Sequence, residues 1–138
     1  MTFLLDTNVI SELRKPPARV NEGVQGWAKT IASHLMHVSV ITIMEIEIGV
    51  GRVERRDPTQ GATLRAWLTN NVLPAFERRV LPVDLAVARS AATRHVPDPR
   101  PERDCLIAAT AEVHGLTVVT RNVVDFEPLG VAVINPWS

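Results

Sequence analysis

Four acidic residues stand at comparable places along this chain. Asp6 follows the apolar run Phe3-Leu4-Leu5, and Glu45 lies in the first turn of the helix expected after a second apolar run. Asp104 heads a helical segment after a proline-rich stretch, and Asp125 follows the run Leu116–Thr120, beyond Arg121 and Asn122. In a parallel sheet, strand C-ends and the N-ends of the following helices share one edge, where open α/β folds keep their ligands. These four acids can therefore converge although most of the chain separates them. Gathered carboxylates repel, and some stay protonated near neutral pH unless a cation joins them. Oxygen ligands alone suit hard Mg²⁺ or Mn²⁺ rather than zinc. Asp6 needs such a partner most, because an acid buried at a strand end is costly when nothing meets its charge.

Each acid also has a purely structural reading. Thr42-Ile43-Met44-Glu45 has the form of a capping box. Asp104 would stabilise any helix it heads through the macrodipole, and Asp125 could be a turn residue. The histidines offer no rival metal site: His34 and His37 lack a partner at ligand spacing, His95 is isolated, and His114 reads as a helix C-terminal residue. The single cysteine, Cys105, cannot form an internal disulfide; it reads as a small hydrophobe and suits a reducing cytoplasm.

The elements that must position the acids are legible from pattern. Strand-like and helix-like segments alternate, which predicts an α/β fold with a central, mainly parallel sheet. Helices are expected over 20–34, with Val24, Trp27, Ile31 and Leu35 on one face, and over 42–54. Further helices are expected from Asp57-Pro58 to about Val72, over 84–95 with Asp84 as N-cap, and over 102–114 ending on Gly115. Strands are expected at 3–5, 38–41, 80–83, 116–120 and 131–134. Pro97, Pro99 and Pro101 make an irregular connection that cannot be helix. Met44, Ile48, Trp27 and Trp67 are candidates for core packing or for subunit contacts.

Bulk properties narrow the class. A chain of 138 residues, 46% hydrophobic, fits one domain (1–138) with its own core. Its apolar runs fall far short of the ~20 residues that span a bilayer. The formal net charge is zero, with 15 basic and 15 acidic residues, so bulk charge does not drive nucleic-acid binding. Lys15 and Lys29 are the only lysines; the other basic residues are Arg, whose planar fork suits phosphate.

Three blocks, LLDTNVISE at 4–12, SVITIMEIEIG at 39–49 and DCLIAATAEVHGLTVVTRNVVDF at 104–126, together with the ending VAVINPW, resemble the PIN-domain ribonucleases. Within them, the chain is most similar to the VapC-type toxins of bacterial toxin–antitoxin pairs. The resemblance covers the whole chain. It implies a three-layer α/β domain, with Asp6 and Asp104 as principal metal ligands and Glu45 as the second-helix acid that shares or supports the ion. In many relatives a further acid directly follows the Thr-Arg pair, but Asn122 stands there in this chain. Asp125 would supply the charge instead, or Asn122 would hold a water. The loop 97–103 also departs from the glycine-containing form typical of relatives.

The implied activity is hydrolysis of RNA phosphodiesters with one or two Mg²⁺ ions, which lower the pKa of a bound water and stabilise charge on the phosphoryl group. Thr7, Asn8 and Thr120 would fix the carboxylate rotamers, and Arg121 would meet substrate phosphate or a surface acid. The resemblance also implies a homodimer and a small VapB-type antitoxin that covers the site. Two other readings compete. A different Mg²⁺-dependent phosphoryl-hydrolysing enzyme would want a second acid at Asn8 or, in a phosphoacceptor domain, a late lysine. A catalytically weak PIN-fold binding module would explain Asn122 but not the retention of the four acids.

Overall fold

A computed structural model describes all 138 residues. The elements, in chain order, are β1 (Phe3–Leu5), α1 (Thr7–Leu13), α2 (Glu22–Thr30), a 3-10 turn (Ser33–Leu35), β2 (Met36–Ser39), α3 (Val40–Arg56) and α4 (Pro58–Trp67). A π turn (Leu68–Val72) and the short α5 (Leu73–Ala75) lead to β3 (Val80–Leu81), α6 (Leu85–Thr93), α7 (Glu102–His114) and β4 (Thr117–Val119). The chain closes with α8 (Val123–Phe126), a 3-10 turn (Glu127–Leu129) and β5 (Val133–Ile134).

The strands lie in the order β3-β2-β1-β4-β5, and every pairing is parallel. Parallel neighbours need crossover connections, which the helices supply. The chain passes from β1 to β2 on one side and reaches β4 on the other. The C-end of β1 is therefore a topological switch point, the crevice where such sheets bind ligands. Asp6 stands there.

Strand alternation builds the three layers. Leu4 and Val118 turn to one face, against Val87 and Ala91 of α6 and Cys105, Ile107, Ala108 and Ala111 of α7. Phe3, Leu5, Val38 and Val119 turn to the other, against Val9 and Ile10 of α1, Ile46 and Val50 of α3, and Leu68 and Val72 of the π turn. Complete burial of a side chain such as Leu4 or Ile107 contributes about 1.5–3 kcal/mol, so each face is a substantial core. Cys105 is fully buried as one of these hydrophobes. No helix is long and apolar enough to cross a membrane.

Local signals set several boundaries as expected. Asp57 caps α4 by accepting from the Gln60 amide at 3.2 Å, and Asp84 caps α6 by accepting from Val87 at 3.0 Å. Gly115 ends α7 in the left-handed region at φ 67°. Elsewhere tertiary structure intervenes. The helix expected over 20–34 is α2 alone: Ile31 is extended, and a 3-10 turn hands the chain to β2. The second strand ends at Ser39, not Ile41, because the Ser39 hydroxyl accepts from the Ile41 amide at 3.0 Å and starts α3 there. The helix opened by Asp57-Pro58 gives way after Trp67 to the π turn. The strand segments at 80–83, 116–120 and 131–134 shorten to β3, β4 and β5.

Candidate active site

Asp6 is the fixed point of the site. Its side chain caps α1, with Oδ1 accepting from the Thr7 amide at 2.8 Å. Oδ2 accepts from Thr120 Oγ1 at 2.8 Å and from Asn8 Nδ2 at 3.3 Å. Thr120, fully buried just past β4, gives its one proton to Asp6 and accepts from the Asn122 amide at 3.0 Å and Asn8 Nδ2 at 3.2 Å. Asn8 also accepts from the Arg121 amide at 3.2 Å. Asn8 and Thr120 thus clip the ends of β1 and β4 together and hold the Asp6 carboxylate in one rotamer. Thr7, Asn8 and Thr120 make these contacts as the sequence suggested. Thr120→Val keeps the shape but removes both the donor and the acceptor, so unfolding free energy is expected to fall by about 1–3 kcal/mol. Urea denaturation measures it, and Thr120→Ser, which retains the hydroxyl, should recover most of the loss.

Glu45 corrects the capping-box reading. Ser39 caps α3, which places Thr42 inside the helix, and Glu45 turns away from the helix end. Its Oε1 accepts from Thr7 Oγ1 at 2.8 Å, tying α3 to the start of α1. Its Oε2 lies 3.8 Å from Arg103 Nη1, a loose pair in which both side chains are partly solvated and which contributes little to stability. Sequence reasoning missed Arg103, because only the packing of α7 beside α3 brings it there.

Asp104, half-buried in the first turn of α7, has its pKa pushed up to about 6. Desolvation is the main cause, followed by the charges of Asp6, Asp125 and Glu45. The pKa of Asp6 is also raised: burial outweighs the hydrogen bonds from Thr120 and Thr7, and Glu45 and Asp125 add repulsion. The four acids named from sequence therefore lie within electrostatic reach of one another. Asp125 is exposed in the first turn of α8, and its amide donates to the Asn122 carbonyl at 3.1 Å. Asn122 is exposed at the N-cap, and its side chain makes no hydrogen bond there. Arg121 stacks its guanidinium over Trp137 at 5.7 Å instead of pairing with a surface acid.

The carboxylates do not form a closed three-ligand cage. Their donor set is all oxygen, and burial, reinforced by their mutual repulsion, raises two of their pKa values. Both facts fit a hard divalent cation held by few protein ligands and several waters.

The sequence and the whole fold have known counterparts. The PIN domain family matches residues 3–127. Toxin FitB of Neisseria gonorrhoeae is 39% identical over 141 residues, covering 98% of each chain. The VapC ribonuclease Y4jK of Sinorhizobium fredii is 37% identical, over 99% of this chain and 98% of that protein. Among solved structures, FitAcB from Neisseria gonorrhoeae superimposes with a TM-score of 0.89 at 36% identity, over 99% of both chains. With the parallel five-stranded sheet and the acids at its switch point, these matches establish that the chain belongs to the PIN-domain family, among its VapC-type toxins.

Proposed function

We propose that this protein is a divalent-metal-dependent endoribonuclease that acts as the toxin of a toxin–antitoxin pair. The observation that carries this reading is the convergence of Asp6, Glu45, Asp104 and Asp125 from four separate segments, close enough for their charges to add to the burial that raises the pKa values of Asp6 and Asp104. Asp6 and Asp104 would hold Mg²⁺, with Mn²⁺ as a substitute, and Glu45 would share the ion. Bound there, the ion would supply Lewis-acid stabilisation of the charge that develops on the phosphoryl oxygens.

The chain's own residues do the rest. Thr7, Asn8 and Thr120 keep Asp6 oriented, so little reorganisation accompanies the reaction. Glu45, anchored to Thr7 through Oε1 and only loosely paired with Arg103 through Oε2, orients the attacking water. Asp125 contributes negative charge at the rim, where Asn122, lacking a charge, positions water. The similarity to FitB and FitAcB supports an antitoxin partner of the VapB type. The family resemblance implies a homodimer, and the single buried thiol suits a cytoplasmic setting.

The test is mapping of RNA 5′ ends in cells after brief induction, comparing wild type with Asp6→Asn, alongside the purified protein. New ends are expected only with wild type, and purified protein is expected to cleave RNA with Mg²⁺ or Mn²⁺ and to stop when EDTA is added. Cleavage indifferent to EDTA would sink the metal mechanism. Covalent phosphate on an Asp during turnover would favour the phosphoryl-hydrolase alternative instead.

A further inference from the structure

A recess of about 280 Å³ opens beside the acids, and beyond Thr7 and Glu45 its lining has no part in the chemistry above. Thr7 and Glu45 form its inner end, Ser11 and Leu64 line it, and Arg14 and Trp67 stand at its far end. Arg14 closes α1, about 10 Å along the helix from Thr7. Its guanidinium carbon lies 5.9 Å from the centroid of the Trp67 ring. Trp67 is the last residue of α4, and the π turn after it buries Leu68 and Val72 while leaving the indole half-exposed at the lip. Such π turns frequently mark functional positions.

Arg14 has no acidic partner. The ion pairs of the protein are Lys15–Glu12, Arg65 with Glu47 and Glu54, Arg94–Glu112 and Arg103–Glu45. Arg121 stacks on Trp137 in a comparable way, but its charge is already felt by Glu12. Glu12 and Arg14 lie about 200° apart around α1, so the two Arg–Trp pairs occupy opposite flanks of that helix. Only the Arg14 flank opens into the recess that shares Thr7 and Glu45 with the acidic centre. A π-face, an unmatched guanidinium and a hydroxyl from Ser11, continuous with a site for a phosphodiester, match the chemistry of a nucleotide. Unstacked bases of single strands are held by aromatic faces and Arg planes.

We propose that the Arg14–Trp67 recess is a nucleotide subsite: a base of single-stranded RNA adjoining the cleaved phosphodiester stacks on Trp67, and a flanking phosphate pairs with Arg14. This assignment rests on the endoribonuclease reading and names how its substrate is held.

Binding of a fluorescein-labelled single-stranded oligoribonucleotide of mixed sequence, followed by anisotropy in EDTA, tests it without cleavage. Trp67→Ala and Arg14→Ala are each expected to weaken binding about tenfold, and Trp67→Phe, which keeps a ring, by much less. In cleavage assays with Mg²⁺ the same two alanine variants should raise KM with kcat nearly unchanged. Arg14 is exposed, so Arg14→Ala folds even where Trp67→Ala does not. Wild-type affinity and KM in Arg14→Ala and Trp67→Phe, with RNA still cleaved, would overturn the subsite and leave the nuclease reading standing. Unchanged RNA affinity with loss of capture by a co-expressed antitoxin would overturn it in favour of a partner-protein surface. Wild-type protein that neither binds nor cleaves RNA would remove both readings together.

Discussion

Asp104→Asn is expected to abolish RNA cleavage while raising the melting temperature of the metal-free protein. The loss follows from removing one of the two acids that would hold the principal ion, and about a hundredfold or more of the rate should go with it. The gain in stability follows from the raised pKa. Folded Asp104 titrates near 6 against an ordinary value of 3.8, so the folded state holds its proton more tightly than the unfolded chain. Its contribution is therefore most favourable at low pH, and stability declines as pH rises from about 4 to about 6, then levels. A shift of this size would correspond to ~3 kcal/mol in a fully buried group. Asp104 is only half-buried, so solvent screening reduces the cost to about 1 kcal/mol. The amide carries no charge and escapes both the desolvation cost and the neighbouring acids' repulsion. A rise of about 2–4 °C at neutral pH is expected for a chain of this size, together with a flatter pH profile between 4 and 6. Thermal melts in EDTA across that range measure it. A variant that melts lower at neutral pH, or keeps full activity, would contradict the role given to Asp104. Added Mg²⁺ should reverse the order, since an ion that binds only the folded wild type stabilises it by mass action.

Gly61→Ala is expected to cost about 2–3 kcal/mol of stability, which for a protein of this length lowers the melting temperature by roughly 6 °C. Gly61 is buried in α4 against α3, where an added Cβ would lie 2.4 Å from Glu54 Cα and 2.7 Å from its amide nitrogen. These are backbone atoms and cannot rotate aside, so the two helices must part. Alanine recovers up to about 1 kcal/mol of helix propensity, but a clash on both atoms outweighs it. Separation would also strain Arg65, whose fork reaches Glu54 at 2.9 and 3.2 Å and Glu47 at 2.7 Å across the same hairpin. Because α4 carries Trp67, oligoribonucleotide binding should weaken alongside stability. Gly51→Ala is the control: nothing lies within 4 Å of its added Cβ, and in a helix interior it should be neutral or slightly stabilising. Equal effects of the two substitutions would show that the close approach of α3 and α4 is not what Gly61 serves.

Features that depend on a few neighbouring residues were legible in the sequence. Asp57 and Asp84 cap their helices, and Gly115 ends α7, because each acts within one helical turn. The apolar run before Asp6 predicted a buried strand, and β1 is buried throughout. Alternation of segments predicted the parallel sheet, because parallel strands require crossovers. The misplaced boundaries have different causes. Ile31 leaves the helical pattern to deliver the chain into β2, where pairing with a distant strand outweighs local propensity. Ser39 ends that strand by a local cap, its hydroxyl accepting from the Ile41 amide to start α3.

The sequence by itself determined which groups the site contains and which edge of the sheet receives them: oxygen acids at a switch point, with Thr and Asn beside the first. The tertiary structure alone decided what each group meets. Glu45 binds Thr7 rather than its own helix end, Thr120 donates to Asp6 from across the sheet, and burial together with the neighbouring acids sets Asp104 near 6. It also decided that Arg14 meets Trp67 rather than a carboxylate, and so opened the recess beside the acids. Residue type and spacing encode what lies within a turn or a strand. Desolvation, charge and hydrogen-bond partners depend on distances through space, which exist only once the sheet brings chain segments more than a hundred residues apart into contact.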